Sequence, residues 1–516
     1  MVAELVERTR HLARVDDPDA LRAAFERVLA ELPGRLDASG WRDGLDVLGQ
    51  AYERLLPGAV RRPRGQFFTP FWAGEIMAGW LLAEPTRLLL DPGCGSGSLL
   101  IPAARRLRPR LLGLDVDPLA IRMCEVNRRL RGLEQVELRL SNFLLDELPE
   151  KPDAVICNPP YSRHHAIPAD EKRAIHEGLR LRLGRRFSGL SGLHVLFLVR
   201  ALEVSTDDAR LAFITPSDWL DVGYGREVKS FLLEQARVEA LILLDGSELF
   251  FDGVLTTAAI TLIRKGARQT QSTKVLRLGA KPPEPEQVLA ALQDDNAGEQ
   301  ELLSTDSKWA RPPTRRKRGT GLGELARVRR GVATGCNSFF VLSERRRREF
   351  GLSRQSLRRC IASPRHFAGS ALCLDDLESF PPDVPRWILD VRDPRAESRE
   401  GPLARYLRYG RDELAAHEGY LASRRRPWFA LERRGDCPIL FTYFNRARPR
   451  FVRNRAAAVP LNNWLIIEPR AGVDADELYE VLTSKAVKRR LEENCRLYGS
   501  GLWKLEPSEL EALRLP

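Results

Sequence analysis

The chain has 516 residues, which is long enough for two or three domains. Of these residues 43% are apolar and 29% are charged, as is typical of folded globular proteins. No segment approaches the about 20 consecutive apolar residues of a membrane-spanning helix, and the N-terminus lacks the pattern of a signal peptide. We therefore expect a cytoplasmic protein without a membrane partner. The eight cysteines are scattered without Cys-x-x-Cys spacing, which argues against a disulfide framework and against a metal site.

The net charge of +12 is concentrated in the C-terminal part of the chain. Residues 311–516 hold 41 Lys and Arg against 26 Asp and Glu, whereas residues 1–310 hold 41 against 44. A localised basic field is what a protein needs in order to neutralise phosphates, and the alternative is a solvated charged face. The distribution favours a nucleic acid as the partner of the C-terminal part.

Residues 1–60 are rich in Ala, Leu, Arg and Glu, with apolar residues at helical spacing. This pattern predicts an N-terminal helical region of two or three helices. The segment Gly65–Pro70 then leads into a helix predicted over residues 71–82. Thr69 precedes Pro70 and is suited to cap that helix, a structural role that can coexist with a ligand contact.

A glycine-rich turn follows the first predicted strand, Leu88–Leu90. It reads Asp91-Pro-Gly93-Cys-Gly95-Ser-Gly97 and leads into a helix, an arrangement that allows a ligand to approach the backbone at the carboxyl edge of a parallel sheet. The next strand ends at Asp115, 24 residues after Asp91, where a carboxylate can receive both ribose hydroxyls of a nucleoside. Capping of the helix that begins near Pro118 is the alternative role for Asp115.

Two further predicted strands lead into polar turns. One spans residues 136–140 and is followed by Asn142-Phe143, and the other spans residues 154–157 and is followed by Asn158. In an alternating β/α order the strand ends lie along one edge of the sheet, so the glycine turn and these polar residues should meet in one crevice. The pattern predicts an α/β domain with a mostly parallel, doubly wound sheet over residues 61–310.

The segment Asn158-Pro159-Pro160-Tyr161 combines a side-chain amide, two rigid prolines and an aromatic ring. The amide oxygen of Asn158 and the backbone carbonyl of Pro159 can accept both hydrogens of a planar amino group, which would localise the nitrogen lone pair for attack on a methyl group. Tyr161 would stack on the base, which must leave a duplex to be reached. The alternative is a simple turn after a strand.

The segment 311–323 is basic and rich in Pro and Gly, which predicts a linker and a domain boundary at 310/311. Beyond this segment, arginine clusters recur beside aromatic residues, as in Arg424-Arg425-Arg426-Pro-Trp428-Phe429. Arginine beside aromatic rings fits phosphate contact together with base reading, although a solvated face is the alternative for any single cluster. We predict that Arg424, Arg425 and Arg426 contact nucleic acid phosphates.

In this order, the motifs from Gly65–Pro70 to Asn158–Tyr161 resemble those of the gamma-class amino-methyltransferases of DNA, chiefly the N6-adenine enzymes of restriction–modification systems. The resemblance implies a Rossmann-like, S-adenosylmethionine-dependent methyltransferase domain, followed by an α+β target recognition domain over residues 311–516. It implies that the substrate is double-stranded DNA and that the target is a flipped adenine. A cognate restriction endonuclease or another defence protein is the implied partner.

The resemblance also implies roles for single residues. Those implied to hold S-adenosylmethionine are Thr69, Asp91, Gly93, Gly95, Asp115, Asn142 and Phe143, and position 142 is commonly Asp in the family. The catalytic motif is implied to be Asn158, Pro159, Pro160 and Tyr161, and Phe250 is implied to pack with Tyr161 against the flipped base. Around Leu193–Leu198 the chain departs from the usual family form, with His194 at a position that is often Tyr, and no role follows for that segment.

Two alternatives stay open on the sequence. The first is a methyltransferase that acts on N2 of RNA guanine or on a protein glutamine, because Asn-Pro-Pro-Tyr also serves planar amide and amino substrates. Thr69-Pro70 and the basic C-terminal part argue against it. The second is a DNA-binding defence subunit that has lost catalysis, and intact Asp91, Asp115 and Asn158 argue against that loss.

Overall fold

The structure is a computed structural model. It describes residues 23, 46, 48–49, 69–106, 109–161, 167–221, 223–244, 257–266, 272–279, 283–310, 319–445, 449–494, 496–498 and 502–516. The chain divides into two compact units, residues 1–313 and 314–516. The helices expected within residues 1–60 lie outside the described residues, apart from Ala23, Leu48 and Gly49, which are helical.

The first unit is built on a nine-stranded sheet. Its strands are β1 (Leu88–Asp91), β2 (Arg110–Asp115), β3 (Val136–Leu140), β4 (Ala154–Cys157), β5 (Arg210–Pro216), β6 (Ala236–Leu244), β7 (Ala258–Lys265), β8 (Thr273–Leu278) and β9 (Glu299–Glu301). Its helices are α1 (Phe71–Leu81), α2 (Leu100–Arg106), α3 (Pro118–Leu130), α4 (Ala169–Leu183), α5 (Leu193–Val204), α6 (Arg226–Gln235) and α7 (Pro285–Gln293).

The strands are arranged in the order β3-β2-β1-β4-β5-β7-β6-β8-β9. The first five are parallel neighbours, and β7 is antiparallel to both β5 and β6. The prediction of a mostly parallel, doubly wound sheet is confirmed. The chain proceeds from β1 to β2 and β3 on one side and continues with β4 on the other, so the strand order reverses between β1 and β4. In open α/β sheets, ligands bind beside the carboxyl ends of the strands at such a reversal.

Helices cover both faces of this sheet. Within β1, Leu88 and Leu90 belong to a buried cluster that includes α5, whereas Leu89 belongs to a second cluster that includes α1. Every residue of β1 and β4 is buried. A strand that is covered on both faces has no polar side to present to water, which is why β1 and β4 are almost continuous apolar runs in the sequence.

The segment after β7 differs from expectation. Residues 267–310 lack an apolar rhythm, yet the structure places β8, α7 and β9 there, and β8 pairs in parallel with β6. The strand begins with Thr273 and Lys274, both of which are buried. The ammonium group of Lys274 donates to the carbonyl oxygens of Ala291 (3.1 Å), Leu292 (2.8 Å) and Asp294 (2.8 Å) at the end of α7. A lysine in a sequence normally indicates an exposed position. Because the carbonyl groups at the end of α7 compensate the charge of Lys274, this strand is buried although its sequence does not predict it.

In the described residues of the second unit, helices are combined with three separate sheets. Its strands are β10 (Ala326–Arg330), β11 (Val341–Ser343), β12 (Leu357–Ile361), β13 (Ala371–Leu372), β14 (Pro385–Leu389), β15 (Ile439–Thr442), β16 (Phe444–Asn445), β17 (Phe451–Asn454), β18 (Val459–Pro460), β19 (Trp464–Pro469), β20 (Arg496–Tyr498) and β21 (Leu502–Lys504). Its helices are α8 (Leu322–Leu325), α9 (Asn337–Phe340), α10 (Glu344–Glu349), α11 (Leu374–Ser379), α12 (Pro402–Asp412), α13 (Ala475–Thr483), α14 (Lys485–Asn494) and α15 (Pro507–Glu511).

The largest sheet of the second unit has the order β10-β19-β15-β17-β13, and the four-stranded sheet has the order β11-β14-β12-β18. Most pairs in them are antiparallel. The unit is therefore of the α+β type, as expected for residues 311–516. Within the part of the chain that the structure describes, no helix is both long enough and apolar enough to cross a membrane.

Candidate active site

The polar residues predicted to form one crevice lie at the carboxyl edge of the first sheet. Asp91 is the last residue of β1, Asp115 is the last residue of β2, and Asn158 directly follows β4. The strands β2, β1 and β4 are consecutive neighbours. Because neighbouring strands are about 4.8 Å apart, the three side chains start within about 10 Å of one another. Asn142, which follows β3 shortly after its end, extends the same edge by one strand.

The glycine turn has a backbone that only glycine adopts readily. Gly95 and Gly97 have φ angles of +54° and +95°. A Cβ atom added to Gly97 would lie 2.8 Å from the sulfur of Cys124, so this glycine is needed for packing as well. Among the described residues, a Cβ added to Gly95 would meet nothing within 4 Å. The turn is therefore packed against Cys124 at Gly97, whereas none of the described atoms crowds Gly95.

Asp115 connects the ends of β1 and β2. One carboxylate oxygen accepts a hydrogen bond from the backbone N–H of Gly95 and the other accepts one from the N–H of Asp117, each at 2.9 Å. A carboxylate oxygen has two lone pairs, so the Asp115 carboxylate can also receive a hydroxyl group. The alternative role as a cap of α3 is filled by Asp117 instead, whose side chain accepts from the N–H of Leu119.

Asp91 is 1% exposed and accepts a single described hydrogen bond, from the N–H of Gly93 at 3.3 Å. Burial raises the pKa of Asp91 to about 8, and the neighbouring carboxylate of Asp115 adds to the rise. Burial also raises the pKa of Asp115. Two buried carboxyl groups are costly to ionise when no positive charge is near. A site that contains them therefore favours a ligand that carries positive charge.

The raised pKa of Asp91 predicts a loss of stability with rising pH. The folded protein keeps this proton up to about pH 8, whereas the unfolded chain releases it near pH 4, so stability falls as pH rises through that window. Between pH 6 and pH 9 the ligand-free protein should lose roughly 3 kcal/mol of unfolding free energy relative to Asp91→Asn, which cannot ionise. Urea unfolding of both proteins across this range measures the difference. Parallel pH profiles would show that Asp91 has an ordinary pKa.

Asn142 and Phe143, which were predicted to contact the cofactor, both make contacts within the protein. The side-chain oxygen of Asn142 accepts from the N–H of Leu144 at 3.1 Å, and its amide nitrogen lies 3.5 Å from a carboxylate oxygen of Glu171. Phe143 is 1% exposed, and its ring centroid lies 5.3 Å from that of Phe197. The structure thus places Phe143 in the core beneath the edge rather than on its surface.

Thr69 lies next to Asn158 and does not cap α1. The helix begins at Phe71 with Pro70 at the N-cap position, so the expectation that Thr69 caps the helix is wrong. The hydroxyl of Thr69, which is buried, accepts a hydrogen bond from Nδ2 of Asn158 at 3.0 Å. This bond fixes the orientation of the amide. The amide oxygen, Oδ1, is buried and is directed away from Thr69.

The rest of the motif forms a rigid rim around this amide. Pro159 is buried, whereas Pro160 and Tyr161 are partly buried. The hydroxyl of Tyr161 donates to the carbonyl oxygen of Ile214 at the end of β5, at 3.4 Å. The imidazole of His194 meets the Tyr161 ring edge to face at 6.4 Å, and burial lowers the pKa of His194. Phe250, the other predicted stacking residue, lies outside the described residues.

Sequence reasoning missed several residues at this edge. Val116 and Leu140 are 63% and 59% exposed although both are apolar, and Leu140 is the strand partner of Asp115. An apolar residue directly after a strand-ending acid is the sequence signal that could have identified Val116. Ser96 in the glycine turn binds Asp46, which is 50 residues away and gives no such signal.

The predicted phosphate-binding arginines divide into two kinds. Arg424 and Arg426 are exposed, and the guanidinium of Arg424 lies 4.0 Å above the ring of Tyr420, which is 68% exposed. Arg425 is partly buried and donates to the carbonyl oxygens of Ala333 (2.8 Å) and Thr334 (2.7 Å). Arg425 therefore connects two loops of its own unit. Among the described residues, no group of three His, Cys, Asp or Glu could hold a metal ion.

Comparisons with known proteins agree with this geometry. A family model described as N-6 DNA Methylase matches residues 43–299, and one described as the C-terminal domain of the Type II methyltransferase M.Eco57I matches residues 305–516. The chain is 28% identical to the Type II methyltransferase M.AccI of Acinetobacter calcoaceticus, over 89% of this chain and 86% of that protein. It is 29% identical to the Type II methyltransferase M.XamI of Xanthomonas campestris pv. amaranthicola, over 98% and 96%.

Among solved structures, the Type IIL restriction-modification enzyme MmeI in complex with DNA matches with a TM-score of 0.57 and 11% identity, covering 91% of this chain and 71% of that one. A nuclease-deletion mutant of the Type ISP enzyme LlaGI, in complex with a DNA substrate mimic, matches with a TM-score of 0.53 and 11% identity, covering 96% and 60%. At these identities the two matches show a shared fold.

Proposed function

Because this chain belongs to the N6-adenine DNA methyltransferases of restriction–modification systems, we propose that Asn158 holds the amino group of a target adenine that has left the duplex. The observation that carries the proposal is the hydrogen bond from Nδ2 of Asn158 to Thr69. Because Nδ2 of the amide donates to Thr69, the amide oxygen is the atom with which Asn158 can accept an amino hydrogen. The family and the relatives support this activity over methylation of RNA guanine or protein glutamine, and over a silent binding subunit.

The residues at the strand ends fit S-adenosylmethionine, the cofactor that the fold and the family imply. Among the described residues none crowds the backbone of Gly95, the carboxylate of Asp115 can accept ribose hydroxyls, and buried Asp91 favours positive charge. When bound, this cofactor supplies an electrophilic methyl group on a positively charged sulfur. We propose that Val116 and Leu140, the exposed apolar side chains beside Asp115, cover the adenine ring of the cofactor.

The protein acts on the target base through acceptors and a ring. Oδ1 of Asn158 and the backbone oxygen of Pro159 each accept a hydrogen bond from the amino group of the base. These two bonds direct the nitrogen lone pair out of the plane of the base. Tyr161 is anchored at its hydroxyl by Ile214, so its ring is a fixed surface for stacking. Phe250 is proposed to cover the other face of the base, and Thr69 to keep the amide of Asn158 from rotating.

The second unit is proposed to bind duplex DNA and read the target sequence. Its excess of positive charge and the exposed side chains of Arg424 and Arg426 suit phosphate contacts. Tyr420, stacked beneath Arg424, adds an exposed aromatic surface for a base or a sugar. Since M.AccI and M.XamI are Type II methyltransferases, a restriction endonuclease of the same specificity is the proposed functional partner.

The two kinds of arginine should behave differently when they are changed. The double change Arg424→Glu with Arg426→Glu should weaken DNA binding and reduce the slope of log affinity against log salt by about 2, because each lost phosphate contact removes about 0.9 from the slope. Fluorescence anisotropy at several salt concentrations measures this slope. Arg425→Ala should instead lower the melting temperature, because two backbone carbonyls lose their donor.

A matched control for that experiment is Arg110→Glu with Arg129→Glu, which changes the net charge equally. Arg110 begins β2 at the opposite edge of the sheet, and both side chains are more than 60% exposed. The control should keep the salt slope of the unchanged protein. An equal loss of slope in both double variants would mean that general charge, and not contacts by Arg424 and Arg426, determines binding.

Methyl transfer to DNA tests the proposed function directly. Plasmid DNA from a host without adenine methylation is incubated with the protein and a cofactor that carries a trideuterated methyl group, and the nucleosides are analysed by mass spectrometry. We expect N6-(trideuteromethyl)adenine, confined to one short sequence when the same DNA is read by methylation-sensitive sequencing. A label found in cytosine would contradict the proposal, and so would unlabelled DNA in a mixture where added tRNA or protein glutamine becomes labelled.

A further inference from the structure

Asp46 is an acidic residue from the N-terminal part of the chain that is buried beside the glycine turn. It is 9% exposed, and Leu48 and Gly49 after it are helical. Its Oδ1 accepts from the N–H of Gly49 at 2.9 Å, the hydrogen bond of an N-cap residue. A helix cap needs one carboxylate oxygen. The other oxygen of Asp46, Oδ2, accepts from the hydroxyl of Ser96, which lies in the turn between Gly95 and Gly97.

Asn127 of α3 completes the network. Its amide nitrogen donates one hydrogen to Oδ1 of Asp46 at 2.9 Å and the other to the backbone oxygen of Ser96 at 2.8 Å. The oxygen of the same amide accepts from Arg131 at 3.0 Å. Asn127 is fully buried and Ser96 is 1% exposed. Ser96 is thus held twice, by its hydroxyl and by its carbonyl, and both bonds depend on the carboxylate of Asp46 directly or through Asn127.

The two central residues of the turn are therefore fixed by two different acids. The N–H of Gly95 is held by Asp115, and Ser96 is held by Asp46. Asp115 also belongs to the proposed cofactor site, whereas no atom of Asp46 is needed for contact with a ligand. Gly95 and Gly97 have positive φ angles and contribute no side chain that could fix the turn. Of the three residues Gly95, Ser96 and Gly97, only Ser96 has a side chain through which the rest of the protein can hold the turn.

We propose that Asp46 is a positioning residue for the cofactor turn, which makes cofactor affinity depend on the segment that precedes α1. The inference rests on the proposed cofactor site at Gly95 and Asp115. Loss of the carboxylate would leave the buried hydroxyl of Ser96 and one hydrogen of Asn127 without their acceptor. The turn would then sample other conformations in the free protein, and part of the binding energy would be used to order it again.

The test compares Asp46→Ala, Ser96→Ala and the double variant by calorimetric titration with sinefungin, an unreactive cofactor analogue. Each single change should raise the dissociation constant about tenfold, the value expected for one buried hydrogen bond of this kind, and the double variant should be no weaker than the worse single variant. In the cofactor-free proteins, backbone amides of residues 94–98 should exchange with deuterium faster than in the unchanged protein. In Ser96→Ala, Asp46 still caps its helix. If Asp46→Ala does not fold, Ser96→Ala therefore still measures what the bond between Asp46 and Ser96 contributes to sinefungin binding.

Asp474 supplies the matched control, because it caps α13 in the second unit through the N–H groups of Asp476 and Glu477. Asp474→Ala should lower the melting temperature but leave sinefungin affinity and exchange of the turn unchanged. The inference is overturned if Asp46→Ala behaves like Asp474→Ala, or if the effects of the Asp46 and Ser96 changes add. If the unchanged protein does not bind sinefungin, the proposed cofactor site fails, and this inference fails with it.

Discussion

Replacing Asn158 with alanine should lower turnover about 100- to 1,000-fold, because the acceptor that activates the amino group acts mainly in the transition state. The dissociation constants for DNA and for cofactor analogues should stay within about threefold, since neither depends on this one amide. Single-turnover methylation with saturating enzyme measures the chemical step, and anisotropy and calorimetry measure the two binding steps. Equal loss of DNA affinity and turnover would contradict the assigned role.

Thr69→Val is the matched companion to that change. It keeps the shape of the side chain but removes the oxygen that accepts from Nδ2 of Asn158. The amide can then rotate, and we expect turnover to fall about tenfold, less than for Asn158→Ala, with cofactor binding retained. A cofactor affinity that falls while turnover is kept would instead support the role in cofactor binding that the family resemblance implies for Thr69.

Asp115→Ala should weaken cofactor binding about 100-fold or more, the second of the large effects. The change removes the acceptor proposed for the ribose hydroxyls and also releases the N–H groups of Gly95 and Asp117. Calorimetry with sinefungin measures the loss. Asp115→Asn keeps one acceptor oxygen and should lose less affinity than the alanine variant.

A cofactor analogue without the 2′-hydroxyl separates the two contributions of Asp115. The unchanged protein should bind this analogue more weakly than sinefungin, whereas Asp115→Ala should hardly distinguish the two ligands. Equal discrimination by both proteins would mean that Asp115 only holds the turn and does not contact the ribose.

The fold of the first unit was largely predictable because short stretches of the sequence indicate its strands and helices. β1 and β2 are apolar runs that end in Asp91 and Asp115, and β4 is an apolar run that Asn158 directly follows. The alternation with helices fixes a parallel order that brings those ends together. The Rossmann-like methyltransferase fold and the adenine-specific DNA methyltransferase activity implied by the motifs are confirmed. Strand β8 was not predicted, because the partners that satisfy Lys274 are carbonyl groups 17 to 20 residues further along the chain.

The contacts that determine the site could not be predicted from the sequence, because they join distant segments. Thr69 and Asn158 are 89 residues apart, and the sequence predicted for Thr69 a local helix cap and a cofactor contact but no bond to Asn158. Asp46 and Ser96 are 50 residues apart. Arg425 stands between two exposed arginines, and only its contacts with Ala333 and Thr334 distinguish it from them. Periodicity and motif spacing carry no information on such pairs.

The most direct test of the account is the structure of the protein with sinefungin and a duplex that contains its methylated sequence. We predict that the target adenine lies outside the base stack, with its amino nitrogen within hydrogen-bonding distance of Oδ1 of Asn158 and of the backbone oxygen of Pro159. The same nitrogen should face the analogue held at Gly95 and Asp115. A target adenine that stays paired in the duplex, or an Asn158 oxygen directed away from its amino group, would contradict the account.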